Sequence, residues 1–282
     1  MAVRVDEVAS PVTMQEALAF LKRRPDAVLW AGGTLLMIDP GSWPRAVSSG
    51  VMDIHRIPEL SQIYRSDRHV ELGACVPLSR LLAIPKRSIL GPLKTAALRV
   101  GGRATRNLAT LGGNIASARR FMSCFPALSC MDATVELRDA SGTRWRSIHE
   151  FVGLDGRPSV PPATLISRIR LPIEEWSSMV ARSLGPIVFP EPGAYGYCAC
   201  ARYASGVLAD IRIALAGDVL VRDRDLELSL SGRRLPLARK DVESFCGQFA
   251  ARALDTGASE AVAAATAELT SAFLLHDAEY FS

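Results

Sequence analysis

The stretches AGGTLLM at residues 31–37 and LATLGGN at residues 108–114 each contain a glycine pair with an alanine and a threonine close by. The second stretch follows closely on VGGRATRN at residues 100–107. Glycine pairs usually mark turns, because glycine can adopt backbone conformations that a Cβ atom bars to other residues. A second interpretation is that two backbone segments approach one ligand too closely for side chains to fit between them.

The composition is typical of a globular protein. The chain has 282 residues, of which 49% are hydrophobic and 22% charged, enough for one large domain or two ordinary ones. The net charge of +4 is small and the arginines are scattered, so nucleic-acid binding is not expected. The apolar stretch at residues 259–275 contains Glu268 and is too short to span a bilayer. The first ten residues lack a signal-peptide core, and we expect a cytoplasmic protein with no membrane partner.

None of the six cysteines forms a CxxC pair, and the four histidines are isolated from one another. The CAC stretch at residues 198–200 would point two thiols to one face of a strand, which is not a usual spacing for zinc or an iron–sulfur cluster. Buried, unreactive cysteine is the simpler interpretation. The sequence therefore predicts no metal ligands and no catalytic residues in this chain.

Local signals place helices and strands along the first 175 residues. Thr13, with Glu16 three residues later, is a capping box for a helix that stops at Pro25. A short buried strand is predicted to run into the first glycine pair. Further strands are predicted within residues 46–55, 69–76, 134–148 and 163–172, and further helices within residues 77–85 and 88–102.

The composition changes after residue 175. Residues 185–196 are rich in proline and glycine and predict a loop. Three alternating stretches then predict a small antiparallel sheet, and two helical stretches end the chain. The predicted strands are residues 197–204, 207–217 and 225–232. We therefore expect a domain boundary near residue 175 and a second α+β domain over residues 176–282.

Each glycine pair lies at a junction between predicted elements and is a candidate ligand site. Backbone without Cβ atoms can turn several N–H groups toward one anion. Thr34 and Thr110 add hydroxyl donors suited to a pyrophosphate, and Asn114 adds an amide suited to a ribityl chain or a ring edge. Neither stretch matches GxGxxG or GxxxxGK[ST], so the Rossmann and P-loop fingerprints are both missing.

Five segments, taken together and in this order, resemble one known family. They are WAGGTLLM, HVELGACVPLSRL, RNLATLGGNIA, CFPALSCMDATVEL and LISRIRLP, in register through residues 12–172. This part of the chain resembles the FAD-binding medium subunit of molybdenum hydroxylases, the xanthine dehydrogenase-like group, in a divergent branch. The match is faint in the C-terminal part.

The resemblance implies a fold and a domain arrangement. The fold class is α+β, with a two-subdomain PCMH-type FAD-binding fold followed by a small C-terminal domain of antiparallel sheet plus helices. The FAD-binding domain covers residues 1–175 and divides into two α/β subdomains near residues 55–60.

The resemblance also implies which residues hold FAD. In the family, the two glycine loops bind the FAD pyrophosphate and a later strand packs against the flavin. Arg106 matches a family arginine ahead of the second loop, and we interpret it as a structural brace. The implied cofactor-binding residues are Leu29, Trp30, Ala31, Gly32, Gly33, Thr34, Leu35, Leu36, Thr110, Leu111, Gly112, Gly113, Asn114, Ser123, Leu165 and Ile166.

Three positions depart from the family pattern. Leu35 replaces the usual acid after the first glycine pair. Ser123 falls where the family has an FAD-contacting aspartate, and Ala199 falls where it has a lysine near the flavin. Each lost polar contact removes about 0.5–1.5 kcal/mol, or about 1.5–3 kcal/mol when charged. Because the main-chain amides remain, we expect FAD binding to persist.

The function implied by the resemblance is that of an FAD-dependent oxidoreductase subunit. Electrons pass from a molybdenum centre through [2Fe–2S] clusters to FAD, and then to NAD⁺ or another acceptor. The molybdopterin-binding large subunit and the [2Fe–2S] small subunit are then separate partner chains. Two alternatives stay open: a non-enzymatic assembly or scaffold subunit that has lost FAD, and a stand-alone flavin oxidase.

Overall fold

The computed structural model describes residues 5–38, 50–85, 90–116, 124–151, 160–185 and 193–281. The strands are β1 (Glu7–Ala9), β2 (Val28–Trp30), β3 (Gly50–Asp53), β4 (Ile63–Arg65), β5 (His69–Gly73), β6 (Thr134–Asp139), β7 (Gly142–Ser147), β8 (Leu165–Pro172), β9 (Ser178–Leu184), β10 (Tyr195–Ala204), β11 (Val207–Ala216) and β12 (Leu220–Val221). The helices are α1 (Met14–Arg23), α2 (Thr34–Ile38), α3 (Leu78–Leu82), α4 (Gly91–Ala97), α5 (Arg103–Leu108), α6 (Leu111–Ala116), α7 (Cys124–Cys130), α8 (Arg224–Leu230), α9 (Arg239–Thr256) and α10 (Glu260–Phe281). A 3₁₀ turn covers Pro58–Ser61.

The chain divides into two compact units. Unit 1 comprises Met1–Ile84, Gly101–Ala118 and Asp132–Ile173, and unit 2 comprises Pro85–Val100, Arg119–Met131 and Glu174–Ser282. Unit 2 therefore takes in α4 and α7 from the first 175 residues. The domain boundary near residue 175 stays a prediction. No helix among the described residues is both long enough and apolar enough to cross a membrane.

Helix α1 of unit 1 begins as the capping box predicts. The Thr13 hydroxyl accepts the Glu16 N–H at 3.2 Å, and the Glu16 carboxylate accepts the Val12 N–H at 2.9 Å. Both side chains thus satisfy amides at the helix start. The helix ends at Arg23, two residues before Pro25, as expected for a residue that cannot continue a helix.

Unit 1 holds two sheets. A three-stranded parallel sheet has the order β1-β3-β2, and a five-stranded sheet has the order β4-β5-β8-β6-β7 with antiparallel pairing. One apolar cluster joins α1, the parallel sheet and the start of β8. Its members are Met14, Ala17, Phe20, Leu21, Met52, Ile54, Ile57, Leu60, Cys75 and Leu165. Leu29 and Ala31 of the first candidate loop pack against this cluster.

Unit 2 is built on the antiparallel sheet β12-β11-β10-β9. Successive side chains of β10 face opposite sides of this sheet. Tyr197 and Ala199 belong to the core that includes α8, α9 and α10, whereas Cys198 and Cys200 belong to a cluster with α4 and α7. The two CAC thiols do share one face. All six cysteines are free and buried, which confirms the prediction that they are buried.

The predicted strand over residues 225–232 is wrong, because Arg224–Leu230 form helix α8. The Asp223 carboxylate caps this helix by accepting the Leu226 N–H at 3.0 Å. A leucine at every second position favoured a strand in the sequence. In the structure Leu228 is 51% exposed, so burial follows the helical period instead of the alternation.

The burial of Glu227 explains why the alternating leucines predicted a strand instead of a helix. Its side chain is 1% exposed, and its Oε1 lies 3.1 Å from Arg222 Nε. The same oxygen accepts the Ile213 N–H of β11 at 2.8 Å. Burial raises the pKa of Glu227, although the Arg222 charge acts in the opposite direction. A charged residue therefore occupies an inward helix position that a hydrophobicity pattern reserves for apolar residues.

We predict that Glu227→Ala lowers the free energy of unfolding by roughly 3–5 kcal/mol, because it removes one partner of a buried ion pair. Urea denaturation measures this loss. Glu243→Ala is the matched control, since Glu243 is exposed on α9, and it should change stability by no more than about 0.5 kcal/mol. Equal, small effects of both substitutions would show that the ion pair does not stabilise unit 2.

Candidate functional site

The first glycine pair connects β2 to α2. Gly33 has a φ of +64°, in the left-handed region that favours glycine. A Cβ on Gly33 would lie 2.6 Å from Cε2 of the Trp30 indole, so the ring packs directly against the turn. The Met37 N–H donates to the Gly33 carbonyl at 3.0 Å. Backbone conformation and packing therefore both require glycine at position 33.

Gly32 brings the two glycine stretches together. A Cβ on Gly32 would overlap the Leu108 carbonyl oxygen, and it would lie 2.6 Å from the Leu108 carbonyl carbon and 3.2 Å from the Ala109 Cα. Both segments belong to unit 1. The main chain of the first loop thus touches the main chain that leads into Thr110. No side chain fits between them.

The second glycine pair lies in the first turn of α6 instead of an open loop. The Gly112 N–H donates to the Ala74 carbonyl at 2.8 Å, and a Cβ on Gly112 would lie 2.6 Å from the Ala74 Cβ. The Gly113 N–H donates to Thr110 Oγ1 at 3.1 Å. Both amides are therefore used within the protein, which corrects the expectation that they point at a ligand.

The other residues of the second stretch fix α6 in place. The Leu111 N–H donates to the Val76 carbonyl at 3.1 Å, and the Asn114 N–H donates to the Thr110 carbonyl at 3.0 Å. Thr110, Leu111 and Asn114 are all buried. Their backbone bonds anchor the start of α6 to the segment that follows β5.

The start of β8 supports the same region. The Ala74 N–H donates to the Ser167 carbonyl at 2.9 Å, which ties the segment beneath α6 to β8. Leu165 is buried in the apolar cluster of unit 1, against which Leu29 and Ala31 pack. Leu165 therefore contributes to the core that carries the first loop.

The structure brings together most of the residues implied by the resemblance. The half-buried ones are Leu29, Trp30, Ala31, Gly32, Gly33, Thr34, Leu35 and Leu36. The buried ones are Thr110, Leu111, Gly112, Asn114, Leu165 and Ile166, and Gly113 is exposed. Ser123 lies outside the described residues. Their contacts with a cofactor stay a prediction.

Two further expectations concern Arg106 and Ala199. Arg106 Nη1 donates to the Gly101 carbonyl at 2.5 Å, and its role as a brace stays a prediction. Ala199 is fully buried in the apolar core of unit 2. A lysine there would place its ammonium group among apolar side chains, at a large cost in free energy. The environment of position 199 therefore does not support its match to the family lysine.

The residues that Gly32 and Gly112 contact carry no signal in the sequence that marks them as a site. Leu108 and Ala109 supply the backbone against Gly32, and Ala74 supplies the surface against Gly112. One signal is the small pair Gly73-Ala74, since a Cβ on Gly73 would lie 2.5 Å from the carbonyl carbon of Leu60. Small residues at both positions allow this close packing of backbone.

The site offers main-chain and hydroxyl groups for binding, and its nearest thiol is unreactive. Burial raises the pKa of Cys75 to about 12, and the Asp53 charge adds to the effect. This thiol is therefore protonated at neutral pH and is a poor nucleophile. Among the residues that the structure describes, no group of three or more His, Cys, Asp or Glu side chains could hold a metal ion. The arrangement suits a bound cofactor that supplies the chemistry itself.

The fold thus places two glycine stretches against each other in unit 1. Residues 3–174 match the family described as FAD binding domain in molybdopterin dehydrogenase, and the chain belongs to this family. The expected FAD cofactor is confirmed at the level of the family.

Relatives and a solved structure agree with this assignment. The chain is 31% identical over 174 residues to Aldehyde oxidase 2 of Cavia porcellus, covering 58% of this chain and 13% of the relative. It is 32% identical over 155 residues to the Nicotinate dehydrogenase FAD-subunit of Eubacterium barkeri, covering 53% and 51%. It therefore spans about half or less of these relatives. Quinoline 2-oxidoreductase from Pseudomonas putida 86 matches with a TM-score of 0.84 at 20% identity over 99% of each chain, which confirms the predicted α+β fold.

We predict that Gly32→Ala lowers the free energy of unfolding by roughly 1–3 kcal/mol, because the new methyl group overlaps the Leu108 carbonyl. Gly102→Ala is the control: a Cβ there meets no atom within 4 Å, and its φ is −83°. Urea denaturation of both variants measures the difference. If Gly32→Ala were as stable as Gly102→Ala, the two loops would not be in contact.

Proposed function

We propose that this chain is the FAD-carrying electron-transfer subunit of a molybdenum hydroxylase-type dehydrogenase. The observation that carries the proposal is the contact of Gly32 with the Leu108–Ala109 backbone. It places the family's two glycine stretches side by side in one unit. FAD, when bound, accepts and donates electrons singly or in pairs. In this proposal the electrons arrive from [2Fe–2S] clusters on a partner chain and leave to NAD⁺ or another acceptor.

The first loop is the proposed diphosphate holder. Gly32 and Gly33 present main-chain amides without a Cβ atom, and the Thr34 hydroxyl adds a donor. The Trp30 indole packs against Gly33 and supports the turn. The Trp30 carbonyl accepts the Ile54 N–H at 2.9 Å. The backbone of Trp30 is thus fixed to the segment after β3, which keeps the loop in one conformation for binding.

The second stretch has a different role in the proposal. Gly112 contributes close packing, because its amide is bonded to Ala74. The Thr110 hydroxyl accepts the Gly113 N–H. A hydroxyl that accepts one bond still has its own proton to donate. Thr110 is therefore the proposed donor from this stretch to the cofactor, held in direction by the Gly113 amide.

The partner chains follow from the chain's relation to its family. The relative from Eubacterium barkeri is named an FAD-subunit, which supports a separate flavin-binding chain in a larger complex. We propose a molybdopterin-binding large subunit and a [2Fe–2S] small subunit as the partners of this chain. The substrate is then chosen on another chain.

Leu35 favours a second candidate function, a scaffold subunit that has lost FAD. It stands where the resemblance implies an acid, and it is half-buried in α2. An apolar side chain there supplies no polar contact to a ligand. The two candidates differ in whether the purified chain retains flavin.

We predict that the purified chain binds one FAD per molecule, seen as the visible absorption of an oxidised flavin that stays with the protein in gel filtration. Thr110→Val should weaken FAD binding by at least about tenfold, because a hydrogen bond to a charged group is lost. Thr110→Ser should keep most of the affinity, since it keeps the hydroxyl.

Thr143→Val is the matched control, because Thr143 is exposed on β7 and outside the candidate site. It should leave the FAD affinity unchanged. A wild-type chain that is folded but takes up no FAD would overturn the proposal and favour the scaffold function. Equal affinities of the Thr110→Val variant and the wild type would remove Thr110 from the site.

A further inference from the structure

A cavity of about 390 Å³ lies in unit 1 at the β4–β5 hairpin. It is lined by residues from the 3₁₀ turn, β4, β5 and β8, and none of them belongs to the glycine stretches. Its size is in the range of small-molecule sites. The charged groups around it are arranged so that they favour one kind of ligand.

The Glu71 carboxylate in this cavity has its acceptor positions filled. Arg168 Nη1 donates to Oε2 at 2.9 Å. Arg170 Nε and Nη2 lie 2.9 and 2.7 Å from Oε1, and His69 Nε2 lies 3.4 Å from it. Burial acts to raise the pKa of Glu71, but hydrogen bonds from Arg170 and Arg168 lower it overall. A carboxylate has about four lone-pair positions, so Glu71 has little capacity left for a ligand.

The two neighbouring carboxylates are also engaged. Glu59 Oε2 lies 3.0 Å from Arg138 Nη1. Glu136 Oε1 lies 2.7 Å from Arg138 Nε and accepts the Ser167 hydroxyl at 2.6 Å. The acids around the cavity are therefore occupied by groups of the protein itself.

Donors, by contrast, are in surplus. The Arg65 guanidinium makes no hydrogen bond or ion pair with any residue that the structure describes. Arg168 bonds through Nη1 and approaches Glu136 through Nε, whereas a guanidinium carries five N–H groups. Tyr64 is 60% exposed and lines the cavity. The hydrogen-bonding groups of the lining that have no partner among the described residues are thus mainly donors.

The net charge around the cavity is positive, which also favours an anionic ligand. Around the cavity, cationic side chains outnumber anionic ones among the lining residues and their direct ion-pair partners. The guanidiniums are Arg65, Arg138, Arg168 and Arg170, and the carboxylates are Glu59, Glu71 and Glu136. Arg170 also stacks on Trp145, with its guanidinium carbon 3.9 Å from the ring centre. Among these described residues, the one cation in excess is Arg65, which lines the cavity and is exposed, and a cation attracts an anion.

We propose that this cavity binds a phosphate group, with Arg65 and Arg168 as the charged donors and Tyr64 as a hydroxyl donor. Phosphate accepts hydrogen bonds through several oxygens, and guanidinium groups match its geometry. Free phosphate and a small phosphate ester share this chemistry. The site is separate from the glycine loops, and the proposal does not depend on FAD.

The test is isothermal titration calorimetry on the purified full chain with FAD in excess, so that any diphosphate site is occupied. The titrants are inorganic phosphate, AMP and adenosine at millimolar concentrations. Phosphate and AMP are expected to bind and adenosine is not. AMP binding tighter than phosphate identifies a phosphate ester as the ligand, whereas equal affinities identify the phosphate group alone.

Variants at the hairpin locate the site. Arg65→Ala should weaken the binding of phosphate and AMP by about tenfold or more, and Arg65→Lys should keep part of the affinity. Arg68→Ala is the control, because Arg68 is exposed and does not line the cavity. Absence of binding by both phosphate and AMP, equal binding of adenosine and AMP, or an unchanged affinity in Arg65→Ala would each overturn the proposal.

Discussion

The candidate site depends on one main-chain contact, that of Gly32 with the carbonyl group of Leu108. Any side chain at position 32 would push the two segments apart. With glycine there, the turn after β2 lies directly against the segment that enters α6. The remaining constraints support this contact: Trp30 packs on Gly33, and the amides of Leu111 and Gly112 bond to Val76 and Ala74.

The two glycine pairs use the same property of glycine for different purposes. The first pair forms a left-handed turn whose amides remain candidates for a ligand. The second pair allows α6 to pack against Ala74, and its amides are satisfied by the protein. The expected nest, with amides from both glycine pairs, is therefore not what the structure shows. The structure has one glycine turn next to the start of helix α6. The hydroxyl of Thr110 is the group through which the helix start can still reach a cofactor.

Much of the fold could be predicted from local sequence signals, and the errors have physical causes. The capping box at Thr13 and the alternation in β8 and β11 act within a few residues, so the sequence displays them. Helix α8 does not show in the sequence pattern because Glu227 is buried. It pairs with Arg222 and accepts the Ile213 N–H of β11, and no local pattern reveals this partner on a separate strand. Leu108 was missed for a similar reason: its backbone, and not its exposed side chain, receives Gly32. Ala199 shows the converse, since the family resemblance places a lysine at a position that lies in the apolar core of unit 2.

The chain order of the segments around Gly32 has a consequence for biogenesis. The turn at residues 31–34 is synthesised early, but the backbone against it comes more than 70 residues later, and the β8 segment that ties Ala74 in place comes after residue 164. During translation the turn at residues 31–34 therefore lacks the backbone that packs against it until most of unit 1 has left the ribosome. A cofactor that binds at this turn would bind after unit 1 has folded. A ligand that binds only the folded form stabilises the finished unit instead of guiding its assembly.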